Sequence, residues 1–323
     1  MSNNYDKRFS MPHWDAAIDD NFFLKCVEAA SEQWRSEVYD IYFGSTFLHR
    51  DVTYGDTMGV NASPKQYKNL LKIQEKYGIP ISLTLNEMNR PVGLLRPDVI
   101  KDFISFIKKY YDDGVRSCTI SHTHLMRTGA LQEAFPDMMW KNTVNHGIRT
   151  TQEMIDYAAL GYDIINLDRK FNRNFLELKK AKKEADRLGI KLSLLITEYC
   201  MPECPFKVEH DCWEGGSELR RMGKSYWDIA ENLSCNTWRV QAKEMGVINP
   251  RMGTDWVISS KDNWDEFANL VDIFKFSGRL NNLFSKSSSF KWCVEMFNKD
   301  GETNHLFVAN DFKTIYDNNL MPF

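Results

Sequence analysis

The 323-residue sequence has no uninterrupted apolar stretch approaching the roughly 20 residues that span a bilayer. Its first residues, MSNNYDKRFSMPHW, show none of the apolar core of a secretory signal, so we expect a cytoplasmic protein without membrane attachment. It also lacks an excess of either charge. Lys and Arg number 41 against 44 Asp and Glu, a net −3, which argues against a nucleic-acid footprint. The one basic run, KKAKKEADR (179–187), mixes signs at helical spacing and reads as a solvated helix face. Neither HExxH nor GxSxG is present, so a peptidase or esterase reading has no motif behind it. No linker rich in Pro, Gly or Ser divides the chain, and 1–323 reads as a single domain.

What recurs is an amphipathic helix, a glycine and a short apolar strand. YKNLLKIQEKYG leads into IPISLTLN, IKDFISFIKKYYDDG into VRSCTISH, TQEMIDYAALG into YDIINLD, and NFLELKKAKKEADRLG into IKLSLLITE. Gly78, Gly114, Gly161 and Gly189 fit the left-handed position that ends a helix. The strands are nearly continuous apolar runs, as expected where a parallel sheet is covered on both faces. Ser63 before Pro64 predicts the cap of the first crossover helix.

Counting VYDIYFG as strand one, MMWKNTVNH as strand four, and TDWVIS and DIFKFSG as strands seven and eight gives eight strand–helix units. We therefore expect a (β/α)8 TIM-type barrel with a cysteine-bearing insertion, 200–250, after strand six. A doubly wound sheet would carry a glycine-rich phosphate loop after strand one, and GSTFLHRD is not one.

In such barrels chemistry sits at the carboxyl ends of the strands. There the sequence places Asn86 and Glu87, His122 and His124, Asn145 and His146, Asp168 and Arg169, Glu198, and Lys275 and Arg279. Any one of them could instead cap a helix or meet solvent. The HTH at 122–124 also admits a two-histidine metal arm, although no nearby carboxylate completes it.

The densest chemistry is CMPECPFKVEHDC, residues 200–212. In a reducing compartment, the seven cysteines at 26, 118, 200, 204, 212, 235 and 293 favour metal or catalytic roles over disulfides. Cys200 and Cys204, with three residues between them and Pro205 following, suit an iron–sulfur loop, while zinc remains open on spacing. A CxxxCxxC loop would need a third cysteine where Lys207 stands, and a thioredoxin-like CxxC is absent. Cys212 and Cys235 lie in the same insertion and could complete a ligand set. Cys293 is a reserve, and Cys118 and Cys26 read as structural.

TEYCMPECPFKVEHDCW, the later CNTW and WVISSKDNWDEFANLVDIFKFSGR together resemble the collagenase-like peptidase superfamily, the U32 family. The resemblance is to members with an NEGCxxxCPFRxxH-like loop, and it extends back through VNHGIRTTQEMIDYAALGYDIINLDRKFNRNFLELKKA. It implies a TIM-type barrel and, despite the peptidase name, iron–sulfur chemistry such as hydroxylation without molecular oxygen. Cys200, Cys204 and Cys235 match the family's cysteines, His210 its histidine, and Lys275, Gly278 and Arg279 its strand-eight motif. Thr197 and Tyr199 stand where the family has Asn and Gly, and Lys207 where it has Arg.

The reading that follows is a [4Fe–4S] redox enzyme acting on a small aromatic or anionic molecule, with a redox partner protein or a further copy of itself as its macromolecular partner. Cys200, Cys204, Cys212 and Cys235 would hold the cluster, and Glu198, His210, Lys275 and Arg279 would bind the substrate or move protons. The alternatives are a metal-dependent hydrolase and a zinc-stapled barrel without catalysis.

Overall fold

The structure is a computed structural model, and the residues it describes are 8–13, 20–30, 32–57, 61–196, 205–214 and 266–276. Eight strands close into a parallel barrel: β1 (Phe9–Pro12), β2 (Val38–Gly44), β5 (Ile81–Leu85), β6 (Ser117–Ile120), β7 (Met139–Lys141), β8 (Ile164–Asn166), β9 (Lys191–Leu195) and β10 (Ile273–Lys275). Each pairs in parallel with its neighbour, and β1 closes the ring by pairing with both β2 and β10. A short antiparallel hairpin, β3 (Thr46–His49) and β4 (Val52–Gly55), follows β2. Helices α1 (Phe22–Ala29) and α2 (Glu32–Glu37) lie between β1 and β2, and α6 (Ala130–Ala134) and α7 (Thr151–Ala159) flank β7 in the chain.

Strand alternation divides these residues between two environments. Ile41, Phe43, Leu83, Ile120, Ile165 and Leu194 face outward and join one core with the surrounding helices. Helix α3 (Pro64–Tyr77) contributes Leu70 and Ile73 to that core. Helix α4 (Pro97–Asp112) contributes Val99, Phe103 and Ile107, four residues apart on one stripe. Helix α8 (Phe175–Leu188) buries Leu178, Ala181 and Ala185 and leaves its lysines on the outer face, as the mixed-sign run predicts.

Local chemistry marks the boundaries. Ser63 accepts a bond from the Gln66 N–H while the Gln66 side chain accepts from the Ser63 N–H, a complete capping box at the start of α3. Gly78 ends that helix at φ 63°, and the glycines at 114, 161 and 189 likewise have positive φ. Gly55 answers a different demand. A Cβ there would come within 2.7 Å of the Ser45 carbonyl, so the hairpin can return to β2 only on a residue without a side chain.

Two expectations are corrected. The first barrel strand is Phe9–Pro12, so VYDIYFG is second and the strand leading into 200–250 is seventh in the ring, not sixth. The four residues FSMP end in proline and leave no alternating pattern to find. TDWVIS lies outside the described residues. The hairpin fills the place of the loop between the second barrel strand, β2, and α3. Its Tyr54 donates to the Leu85 carbonyl (2.7 Å) and accepts from the N–H groups of Ser121 (2.9 Å) and His122 (3.1 Å), tying the hairpin to the ends of β5 and β6. Cys118 is in the outward core, as the sequence suggests, and burial pushes its thiol pKa up.

Removing the α3 cap should be felt locally. Ser63→Ala is expected to cost about 1 kcal/mol, measured by urea unfolding. A loss below about 0.3 kcal/mol would show that the cap does not hold the helix start.

Candidate functional site

The inward face of the barrel is polar. Ser10 Oγ donates to Asp40 Oδ1 at 2.6 Å, and Lys141 Nζ donates to Asp40 Oδ2. These residues come from β1, β2 and β7. Since β5 and β6 separate β2 from β7, the Asp40–Lys141 pair has to cross the lumen. Its side chains are only 1% and 7% exposed. On the other side, Lys275 Nζ stands 4.6 Å from the centre of the Tyr42 ring, and the Tyr42 hydroxyl donates to the Phe276 carbonyl at 2.5 Å. Alternation sends Ser82, Thr84, Thr119, Asn166 and Ser193 to the same inward face, and all five are buried. Bulky branched residues usually fill this space. A buried ion pair repays its desolvation only when its remaining polar atoms find partners, and here Ser10 supplies one.

At the carboxyl ends of the strands, most of the expected residues have structural duties. His122 Nδ1 accepts the Leu125 N–H at 3.2 Å, capping α5 (Thr123–Arg127), and its Nε2 lies 3.2 Å from the Pro91 carbonyl. Both ring nitrogens are therefore occupied, and burial lowers the His122 pKa. His124 is exposed on α5. The HTH thus opens a helix instead of extending the strand, and the two-histidine arm is not formed. Asp168 accepts the Lys170 N–H at 2.9 Å and faces Arg149 at 3.7 Å, so it caps a turn and pairs with a neighbour. Asn86 receives the Thr57 N–H at 2.9 Å, and Asn145 lies in the short turn Val144–His146. Glu87 is fully buried and accepts the Gly55 N–H at 3.2 Å, which anchors the hairpin. Arg169 is buried beside Asp168.

His146 Nε2 sits 2.8 Å from the Ser121 carbonyl, which fixes the Nε2–H tautomer, and its ring packs 4.9 Å from Tyr157 and 6.3 Å from Tyr162. Burial lowers its pKa to about 4, and the nearby Arg90 pushes the same way. The imidazole is therefore neutral near pH 7.

Cys200, Cys204, Cys235, Glu198 and Arg279 lie outside the described residues, as does Cys293. Cys212 and His210 are both on α9 (Lys207–Glu214), with Cys212 a half-buried free thiol. Being two apart, they do not share a helix face. Lys275 is the last residue of β10, at the strand end as expected, and its side chain lies over Tyr42 on the lumen side. Among the described residues no group of three His, Cys, Asp or Glu is arranged to hold a metal. Asp40, Lys141 and Tyr42 were not anticipated, although VYDIYFG and MMWK each carry a charge inside an otherwise apolar strand.

No family model and no curated protein matches the sequence. Among solved structures, that of the U32 peptidase Mk0906 is similar, with a TM-score of 0.53 and 13% identity over 86% of this chain and 95% of that one. An HpcH/HpaI aldolase from Desulfitobacterium hafniense DCB-2 aligns at a TM-score of 0.41 and 8% identity, over 92% of this chain and 95% of that one. The first likeness supports the barrel fold. Among the described residues, no helix is long and apolar enough to cross a membrane.

Breaking the lumen pair should be costly. Asp40→Ala or Lys141→Ala alone is expected to lose about 3–5 kcal/mol, whereas Asp40→Leu with Lys141→Met should recover most of it. Urea unfolding checks this, and single losses under about 1 kcal/mol would mean that the pair is solvated.

His146 predicts a pH dependence. Its folded pKa lies below the unfolded value of about 6.5, so between those values the unfolded chain binds the extra proton. Stability should be full above pH 6.5 and fall by up to roughly 3 kcal/mol as the pH drops to 4. His146→Gln should flatten that part of the profile, and an unchanged slope would contradict the assignment.

Proposed function

We propose that this chain is a barrel enzyme acting on a small anionic molecule at the carboxyl-end mouth. In this reading Cys200, Cys204, Cys235 and Cys212 hold a [4Fe–4S] cluster there for oxygen-independent redox chemistry. The observation that carries the reading is the position of Lys275. This lysine is in the lumen on β10, and its carbonyl accepts the Ile196 N–H at 3.0 Å. Ile196 is the last described residue before the cysteines, and Cys200 stands four residues on, within a chain reach of about 14 Å. The length of the connection therefore allows the first cysteine to reach a half-buried cation that borders a polar interior.

The donor set fits such a group. Four thiols are the common complement of an iron–sulfur cluster, and the proline after Cys204 turns the chain away as cluster loops require. Cys212, the one of the four within the described residues, is free of disulfide. When bound, a cluster of this kind supplies one-electron transfer, and a redox partner protein would complete the circuit. The chain's own residues do the rest. Lys275 and Arg279 hold the anionic part of the substrate, and Glu198 and His210 give or take protons. The polar lumen lets a charged group approach Lys275 without crossing an apolar layer.

Protein purified without oxygen should be brown, absorb near 400 nm and contain close to four irons per chain, as expected for a [4Fe–4S] cluster. Cys200→Ala and Cys204→Ala should lose both colour and iron. Stoichiometric zinc without iron, or iron content unaffected by these substitutions, would overturn the proposal.

A further inference from the structure

We propose that the opposite, amino-terminal mouth of the barrel is a second binding site, one that takes a small organic anion with an apolar body. A cavity of about 780 Å³ opens there. That volume lies within the range of small-molecule sites, about 300–1,000 Å³. Its walls come from the beginnings of β2, β5, β6, β7 and β9, together with Gln74 of α3 and with Gly78 and Gly114 at the ends of α3 and α4, so it lies where the helices hand over to the strands at the floor of the barrel. It is also separate from the strand ends where the cysteine segment begins, so the proposal stands apart from the cluster reading.

The charges lining the cavity decide what it would bind. Asp40 is at its inner end but is neutralised by Lys141 and bonded to Ser10. Arg116 is spent on Asp137 at 3.0 Å and on the carbonyls of Tyr111 and Val115. Two further carboxylates lie close enough to Tyr39 to raise its pKa, after burial and Asp40: Asp272 and Asp163. Asp272 is paired with Lys182 at 2.8 Å, and Asp163 accepts the Trp140 N–H at 2.7 Å.

Lys191 differs from all of these. Its ammonium stands 4.9 Å from the centre of the Tyr39 ring, and among the described residues it has no carboxylate partner. A π face engages an ammonium from one side and leaves its other N–H donors unfilled. A carboxylate entering the cavity would fill them with charge-assisted bonds. The remaining wall, Pro80, Ile81, Met139 and the Tyr39 ring, offers apolar surface for the body of the same molecule. This pairing of one cation with an aromatic and aliphatic wall describes an aryl or branched aliphatic carboxylate better than a bare inorganic anion.

Benzoate is a suitable probe, with benzylamine and benzyl alcohol as its cationic and neutral counterparts, and calorimetry on the full chain is the measurement. Benzoate should bind saturably and more tightly than either counterpart. Lys191→Met should weaken it about tenfold or more, whereas Lys191→Arg should hold it within about threefold. Thermal unfolding of the unaltered protein and of each variant, Cys200→Ala included, confirms that they are folded. Cys200→Ala should bind benzoate like the unaltered protein, which separates this site from the cysteine-bearing mouth. Preference for benzylamine, equal benzoate affinity in Lys191→Met, binding lost in Cys200→Ala, or no binding of any probe would overturn the proposal.

Discussion

The Asp40–Lys141 pair sets the terms for the whole barrel, because a carboxylate and an ammonium enclosed by eight strands have to be matched before the ring can close. Taking both from water costs several kcal/mol per ion, and the return depends on geometry: Ser10 on β1, Asp40 on β2 and Lys141 on β7 meet across the lumen. The apolar driving force therefore comes from elsewhere. It lies between the outward strand faces and the helices, where Phe43, Phe103, Trp140 and Phe274 are buried. The sheet separates two interiors, a dry one outside the barrel and a polar one within.

A polar interior changes what the two ends can do. A lumen packed with branched aliphatics isolates the carboxyl-end mouth from the floor. Here Lys275 over Tyr42 faces one way, and Asp40 lines the cavity that opens the other way. The hairpin shapes the upper end. Tyr54 and Glu87 bind it down onto β5 and β6, and Gly55 lets the chain return tightly enough to do so.

The helices and most strands were legible in the sequence, because glycine-ended amphipathic stripes followed by apolar runs have one economical solution. Gly78 and Gly189 stop their helices as read, and Ser63 caps where expected. Phe9–Pro12 was not legible: four residues ending in proline resemble a turn as much as a strand. The charged strand residues were visible, but only closure of the ring shows that Asp40 and Lys141 are partners, since a hundred residues separate them. His122 and Asp168 were read as site candidates because polar residues at strand ends serve both catalysis and capping. Their N–H partners show that here they cap. For the cysteines, sequence spacing carries the argument, and Cys212 is the ligand candidate whose surroundings are described.

The proposed redox chemistry, anchored by thiolates, would take place at the carboxyl ends of the strands beside Lys275. The most direct measurement is anomalous X-ray scattering at the iron edge from crystals grown without oxygen. The account predicts a single compact iron peak beyond the end of β9, on the side of the ring where β10 follows. No iron signal, or a peak at the amino-terminal floor near Lys191, would contradict it.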